Sequence, residues 1–410
     1  MKKFIASLQR QKQFLLKAQG QSMSPLLEPN DVLSFKKAAF PRIKVNDLIL
    51  VKRNRQLFTH RIIYKTDKYL VTKGDNNPES DGKIAPKNIL AKVVSVKRNG
   101  QIINVEQIYL LQSTLYFQEI VKIKSVFENE KIDFIFLKGL PLHLYFEKTH
   151  PKRVYADCDI LINKQDFLKA EKIIKKFGYK KTDEKNKQVE NNYFKVINGF
   201  SVVFDIHLEP AFLMTQFSGL EALYPQKLIN KFSEELLNNK QQIKINDEKF
   251  SILNSQFLIL YLALHLFHHN FRGAFRLELL DRIIRKNKLN SVSINQLIDT
   301  INNYRLKNFV YPVFVLLKKY YKTPISKFFL ISIKSNGSVA TDPYIKNVNI
   351  FDDEPRISAG INRFKNIFFL SPYPLWRKIF VFTNFEVIYT IIWIIFRRLS
   401  SSFSGRQSVR

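Results

Sequence analysis

Only one cysteine, Cys158, stands among the 410 residues, so no disulfide can form within the chain, which fits a reducing compartment. Glycine is scarce at 12 residues and shows no three-residue period, which excludes a collagen-like chain. Acidic side chains are outnumbered, 35 Asp and Glu against 66 Lys and Arg, for a formal charge of +31. The first 100 residues carry 21 basic and 7 acidic side chains, the denser share of that excess. Such a field attracts nucleic acid, nucleotide phosphates or an anionic membrane face without choosing among them, and a generally lysine-rich composition explains it equally well. A long apolar run is missing from the N-terminus, where Arg10, Lys12 and Lys17 interrupt, so neither a cleavable signal peptide nor an N-terminal span is expected. Core material is plentiful: 45% of residues are hydrophobic, with 36 Phe and 17 Tyr, and this excludes wholesale disorder.

Residues 1–107 read as short strands between turn signals, with candidates at Val32–Phe35, Asp47–Arg53, Leu57–Lys65, Tyr69–Lys73 and Ile89–Lys97 and a hairpin turn at Asn99-Gly100. A small all-β module is expected there. Residues 108–215 read as an α/β core: a helix over Tyr109–Glu128, a strand over Phe134–Leu137, a helix near Leu142–Phe146, and a strand over Val154–Leu161. A helix over Lys164–Phe177 ending at Gly178 follows, then strands at Tyr193–Ile197 and Phe200–His207. Residues 216–410 read as mostly helical, with helices at Ser255–Phe271, Phe275–Lys286 and Val292–Lys307 and a loop over Ser335–Ser358. The fold class expected is multidomain α+β.

Three segments of the β module carry chemistry. They are Ser22-Met23-Ser24-Pro25, Thr59-His60-Arg61, and Lys73-Gly74-Asp75-Asn76-Asn77 with Asp81 four residues on. A hydroxyl needs a base to act as a nucleophile at neutral pH, and His60 is the only imidazole in the first 142 residues. Asp81 or Asp75 could orient that imidazole, and the backbone N–H of Ser22 could stabilise an oxyanion if the turn at Gly20 aims it. In order and spacing these segments resemble type I signal peptidases of the endoplasmic-reticulum and archaeal-like branch. The resemblance implies Ser22 as nucleophile, His60 as base and Asp81 as orienter, with Asp75 structural or a second acidic partner. That family carries a membrane anchor beside the serine segment, and residues 1–21 cannot span, so the resemblance implies a soluble or peripheral peptidase for a specific peptide or protein substrate.

A second constellation lies downstream. Asp157-Cys158-Asp159 places two carboxylates on one face of a strand, and Asp205 sits near the end of another apolar strand. Three convergent carboxylates suit Mg²⁺, which shares its shell with phosphate oxygens. These residues resemble the polymerase-beta-like nucleotidyltransferases, nearest to a bacterial family with a Leu-Lys-Gly segment, here Leu137-Lys138-Gly139, before an Arg-x-x-x-Asp-x-Asp strand, here Arg153 to Asp159. Asp205-Ile206-His207, and downstream His265, His268, Arg276 and Asp281, extend the resemblance. It implies that Asp157, Asp159 and Asp205 bind the metal and a nucleoside triphosphate, and that Lys138 and Gly139 meet its phosphates. The superfamily's Gly-Ser is missing, with Leu140 in the serine's place. His207 reads equally as a capping residue, and the His265/His268/His269 trio as a packed or polar helix face.

The stretch Ile379–Phe396, flanked by Arg377-Lys378 and Arg397-Arg398, reads as a buried helix or as one lying on a membrane surface; Glu386 argues against a span. The resulting expectation is a bifunctional enzyme, a serine peptidase fused to a Mg²⁺-dependent nucleotidyltransferase. It would be cytoplasmic and peripheral to the inner membrane face if that stretch meets lipid. The alternative is a catalytically degenerate basic protein that holds nucleic acid or membrane, with nucleic acid the less favoured partner.

Overall fold

The computed structural model describes residues 7–8, 10–24, 26–53, 56–153, 155, 157–182, 190–197, 200–210, 220–287, 290–334, 346–354, 356–385, 387–389 and 392. Pro25, Val154, Ala156, most of the expected loop over 335–358, and residues 393–410 therefore lie outside the described residues.

Eight strands build a first sheet: β1 (Gln13–Lys17), β2 (Val32–Lys36), β3 (Leu48–Arg53), β4 (Gln56–Lys65), β5 (Leu70–Lys73), β6 (Ser80–Ile84), β7 (Ile89–Arg98) and β8 (Gln101–Asn104). Their order is β1-β2-β7-β3-β4-β5-β6, with β8 on β7, and every pairing is antiparallel. Register shifts at Ser34/Phe35, Leu50/Val51, Ile62/Tyr64 and Val71/Lys73 bend the strands and curl the sheet. Alternation along β3 feeds two cores: Leu48 and Leu50 pack with Phe35 and Met23, whereas Ile49 and Val51 pack with Ile62 and Ile84. Three strands, β1, β6 and β8, lie outside the expected spans, although the Asn99-Gly100 turn pointed to a partner for β7. In β6, Ser-Asp-Gly-Lys-Ile offers almost no apolar alternation to read.

A helix, α1 (Val105–Asn129), leads out of this sheet. Its start is fixed by Asn104, whose side chain accepts from the Glu106 N–H, while the Gln107 side chain accepts from the Asn104 N–H. There follow β9 (Phe134–Lys138), α2 (Leu140–Glu147), β10 (Asp157–Ile162), α3 (Phe167–Lys176), β11 (Lys180–Lys181), β12 (Glu190–Ile197) and β13 (Phe200–His207). Next come α4 (Gln226–Asn238) and a hairpin of β14 (Lys240–Ile245) and β15 (Glu248–Leu253). The second sheet has the order β11-β12-β13-β10-β9-β15-β14 and is mixed: β10 runs parallel to β13 and β15 parallel to β9.

Helices α5 (Ser255–His268), α6 (Ala274–Asn287), α7 (Ser291–Asn303), α8 (Lys307–Tyr321), α9 (Lys327–Ile333), α10 (Arg356–Leu370) and α11 (Leu375–Ile379) complete the described chain. One continuous core joins helices α5 through α10 to the second sheet. Several expectations are corrected here. The region after residue 216 is mostly helical, and within it a β14–β15 hairpin that was not expected, with Ile243, Ile245, Phe250 and Ile252 buried, completes the second sheet. Helix α8 was not expected. Pro312 sits inside it, buried, although proline is costly in a helix interior. Helix α10 begins inside the expected loop. The stretch from Ile379 is not one helix in its described part: α11 gives way to a 3₁₀ turn at Phe380–Thr383 and then to extended backbone at Asn384. No helix among the described residues is long and apolar enough to cross a membrane.

The first sheet is tied to the rest of the chain. Ser80 donates to Asp352 Oδ1 from its N–H at 2.9 Å and its hydroxyl at 2.6 Å, and the Asp353 N–H donates to the Pro78 carbonyl at 2.8 Å. The Tyr64 hydroxyl donates to the Tyr320 carbonyl at 2.9 Å.

Candidate functional site

In the first sheet, Ser22 lies on the turn before β2, His60 on β4 and Asp81 on β6. The imidazole Nε2 is 3.0 Å from Ser22 Oγ, and Nδ1 is 2.7 Å from Asp81 Oδ2. An ionised carboxylate only accepts, so Nδ1 carries the proton and Nε2 is left to accept from the serine hydroxyl. His60 is buried and Ser22 half-buried. The Thr72 hydroxyl, fully buried on β5, donates to the same Asp81 oxygen at 2.7 Å, and Arg53 donates to the Asp81 carbonyl. The serine turn is pinned to the 73–77 loop, where the Asn76 N–H donates to the Ser22 carbonyl at 2.9 Å. A Cβ at Gly74 would stand 2.6 Å from that same carbonyl, so only glycine fits there.

Asp75 does not meet His60. Its two oxygens take a bidentate pair from Arg61, both at 2.6 Å. Arg61 is buried and also donates to the Tyr109 hydroxyl at 2.7 Å and to the Lys152 carbonyl at 3.2 Å. Asp75 thus locks the loop to α1 and to the segment leading into β10.

The second group is set by register. Lys138, Asp159 and Asp205 are direct neighbours across β9, β10 and β13. Cys158, Phe204 and Ile206 point into the core, so the period of two turns Asp157, Asp159, Asp205 and His207 to the opposite face. Lys138 Nζ is 2.7 Å from Asp159 Oδ2 and 3.4 Å from Asp157 Oδ2, and His207 Nε2 is 3.0 Å from Asp159 Oδ1. Burial pushes the Asp159 carboxyl up, but the Lys138 ammonium and His207 outweigh it and hold it at about 2. Burial likewise pushes Lys138 down, and Asp159 and Asp157 outweigh that and raise it. Gly139 follows with φ +99°, and a Cβ there would stand 3.0 Å from the Asp157 carbonyl, so the turn that brings Lys138 beside the acidic strand requires glycine.

Asp159, Asp205 and His207 are buried and each offers one atom within 4.8 Å of the others. Two carboxylates and an imidazole are a donor set that could hold a divalent cation. The compact group therefore differs from the expected trio. His207 takes part, whereas Asp157 stands at the rim with a side chain 44% exposed.

Helix α5 and the start of α6 wall this face with nitrogen. His265 and His269 approach at 3.3 Å between their Nε2 atoms, and burial holds His265, His268 and His269 well below the ordinary imidazole range, as neutral rings. Burial also lowers Arg276, to about 10, against the pull of Asp157. The Phe275 ring lies between two guanidinium groups, 4.7 Å from Arg153 and 4.4 Å from Arg276. A cavity of about 220 Å³ opens beside it, lined by Lys73, Gly74 and Asp75 of the first sheet's loop and by Gly273, Phe275 and Asp353. Sequence reasoning missed Thr72 and the depth of this nitrogen wall. Thr72 carries no local signal, because its role exists only once β5 and β6 pair.

A model of a family described as "uncharacterised nucleotidyltransferase" matches residues 104–322, more than half of the chain. A crystal structure of an antigenic nucleotidyltransferase-like protein from Paracoccidioides brasiliensis is similar over 54% of this chain and 94% of that one, at 13% identity and a TM-score of 0.29. No curated protein matches.

Proposed function

Since this chain belongs to that nucleotidyltransferase family, we propose that it moves a nucleotidyl group from a nucleoside triphosphate to an acceptor at the Lys138–Asp159–Asp205 row. The observation that carries the reading is the buried Asp159–Asp205–His207 group on two adjacent strands, with Lys138 in register on the next, within a chain of that family. Asp159, Asp205 and His207, with Asp157 at the rim, would hold a divalent cation, for which Mg²⁺ is the proposed identity. When bound, it supplies positive charge to the phosphate oxygens and to the departing pyrophosphate. The chain's own residues do the rest. Lys138 keeps Asp159 ionised and ready to ligate. Arg276, with the neutral imidazoles behind it, offers donors to the polyphosphate. An acceptor oxygen or nitrogen would attack the α-phosphorus and give up its proton to water, the bond to the bridging oxygen would break, and pyrophosphate would leave. Release of pyrophosphate from a nucleoside triphosphate in the presence of Mg²⁺, lost in Asp159→Asn and Asp205→Asn, tests the reading.

We propose a second activity, serine peptidase chemistry, on the hydrogen-bonded series Ser22–His60–Asp81. Ser22 Oγ would attack a peptide carbonyl while its proton passes to His60 Nε2. His60 would return that proton to the leaving amine, and a water would then release the acyl group by the same route. Asp81, held by Thr72, fixes the tautomer that leaves Nε2 free to accept. A peptide or protein is the substrate class. This reading treats residues 1–107 as the peptidase module, with 108–215 and 216–410 as the core and helical part of the transferase. A fluorophosphonate probe that labels the wild type and spares Ser22→Ala tests it; labelling that persists in Ser22→Ala contradicts it.

A further inference from the structure

Half of the large hydrophobic side chains that are exposed among the described residues fall within residues 369–392. They include Phe369, Leu375, Trp376, Phe380, Phe385 and Tyr389, and Trp376 and Phe385 are 66% and 78% exposed. The segment is not loosely attached. Leu370 and Val381 are buried in the main core, the Ser371 hydroxyl donates to the Leu223 carbonyl at 2.7 Å, and the Arg377 guanidinium lies 3.8 Å over the Tyr373 ring. A fixed scaffold thus presents an apolar, aromatic face to the outside. Such faces on folded chains mark contact surfaces.

The charge around this face decides what it meets. Between residues 369 and 385 the only charged side chains are Arg377 and Lys378, with no acidic residue among them. Arg377 and Lys378 sit among the exposed aromatic side chains themselves. Two copies of this face would bring like charges together, which disfavours self-association. A partner must be apolar within and negative at its surface. Tryptophan, phenylalanine and tyrosine beside basic residues match the boundary between lipid headgroups and acyl chains.

We propose that residues 369–389 dock the protein on an anionic lipid bilayer surface, with Leu375, Trp376, Phe380 and Phe385 entering the headgroup boundary and Arg377 and Lys378 meeting the negative headgroups. This stands apart from both proposed activities, because none of these residues touches either site. Among the described residues the helix ends at Ile379 and the backbone is extended at Asn384, so this stretch holds no helix long enough to cross a bilayer.

The test uses the full chain carrying Trp393→Phe, so that Trp376 is the remaining indole, and vesicles of phosphatidylcholine alone or mixed in equal parts with phosphatidylglycerol. Sedimentation with the anionic vesicles, a blue shift of Trp376 emission and quenching by brominated acyl chains are expected, all weakened by salt. Leu375→Ser with Phe380→Ser and Phe385→Ser abolishes sedimentation while circular dichroism is unchanged, since all three side chains are exposed. Arg377→Gln with Lys378→Gln weakens it about thirtyfold, from about two surface charges. No sedimentation of the starting protein, equal sedimentation of the triple variant, or a concentration-dependent dimer lost in that variant without any lipid binding would each overturn the proposal.

Discussion

Lys138 and Asp159 stand opposite one another on antiparallel strands, with Nζ 2.7 Å from Oδ2, the carboxylate buried and the lysine half-buried. Removing the ammonium leaves the buried Asp159 carboxylate with His207 as its remaining partner. Lys138→Met should therefore cost about 3 kcal/mol of stability, read from urea denaturation in the presence of EDTA. The pH dependence follows in sign. The folded-state carboxyl is depressed to about 2 from 3.8, so its stabilisation is present above pH 3.8 and lost as the pH falls toward 2. Without Lys138 that depression shrinks, and the acid-unfolding midpoint, followed by circular dichroism, moves to higher pH.

Thr72 gives a gentler perturbation of the other site. Its hydroxyl shares Asp81 Oδ2 with His60. Thr72→Val removes one hydrogen bond of about 1 kcal/mol without changing volume, and should slow fluorophosphonate labelling of Ser22 about fivefold. Thr72→Ser keeps the hydroxyl and should label at close to the wild-type rate. Equal rates in all three proteins would show that Asp81 needs no such support.

The Arg61–Asp75 pair predicts an asymmetry. The Arg61 side chain is 9% exposed and that of Asp75 is 23% exposed. Asp75→Asn strands a buried guanidinium, whereas Arg61→Met strands a carboxylate that water can reach. The aspartate change should be the more damaging, by about 1 kcal/mol within losses of about 3–5 kcal/mol, measured as denaturation midpoints. The reverse order would mean that Arg61 acts through its bonds to Tyr109 and Lys152 rather than through Asp75.

Some of this was legible before any coordinates. Asp157 and Asp159 share a face because a strand alternates, and no distant residue is needed to see it. The grouping of Ser22, His60 and Asp81 was readable from the order of three short segments. Other features depend on pairing that the linear chain does not display. That Lys138, Asp159 and Asp205 form one row is a fact of register between strands far apart in sequence. Spacing alone left both Asp75 and Asp81 able to orient His60; only the resemblance pointed to Asp81, whose carboxylate lies 2.7 Å from the ring. The β14–β15 hairpin was hidden because its outward positions, Lys240, Gln242, Lys244 and Lys249, suit a helix as well as a strand. Pro312 hid α8, since its cost inside a helix is met there by tertiary packing around a buried ring.

Incubating the full chain with each of the four nucleoside triphosphates, Mg²⁺ and a cell extract as the source of acceptor, and measuring pyrophosphate released, probes the acidic row most directly. The wild type should release pyrophosphate, EDTA should stop it, and Asp159→Asn and Asp205→Asn should each lower it by about a hundredfold or more. Release that is undiminished in both variants, or absent with every nucleotide, would contradict nucleotidyl transfer at this site.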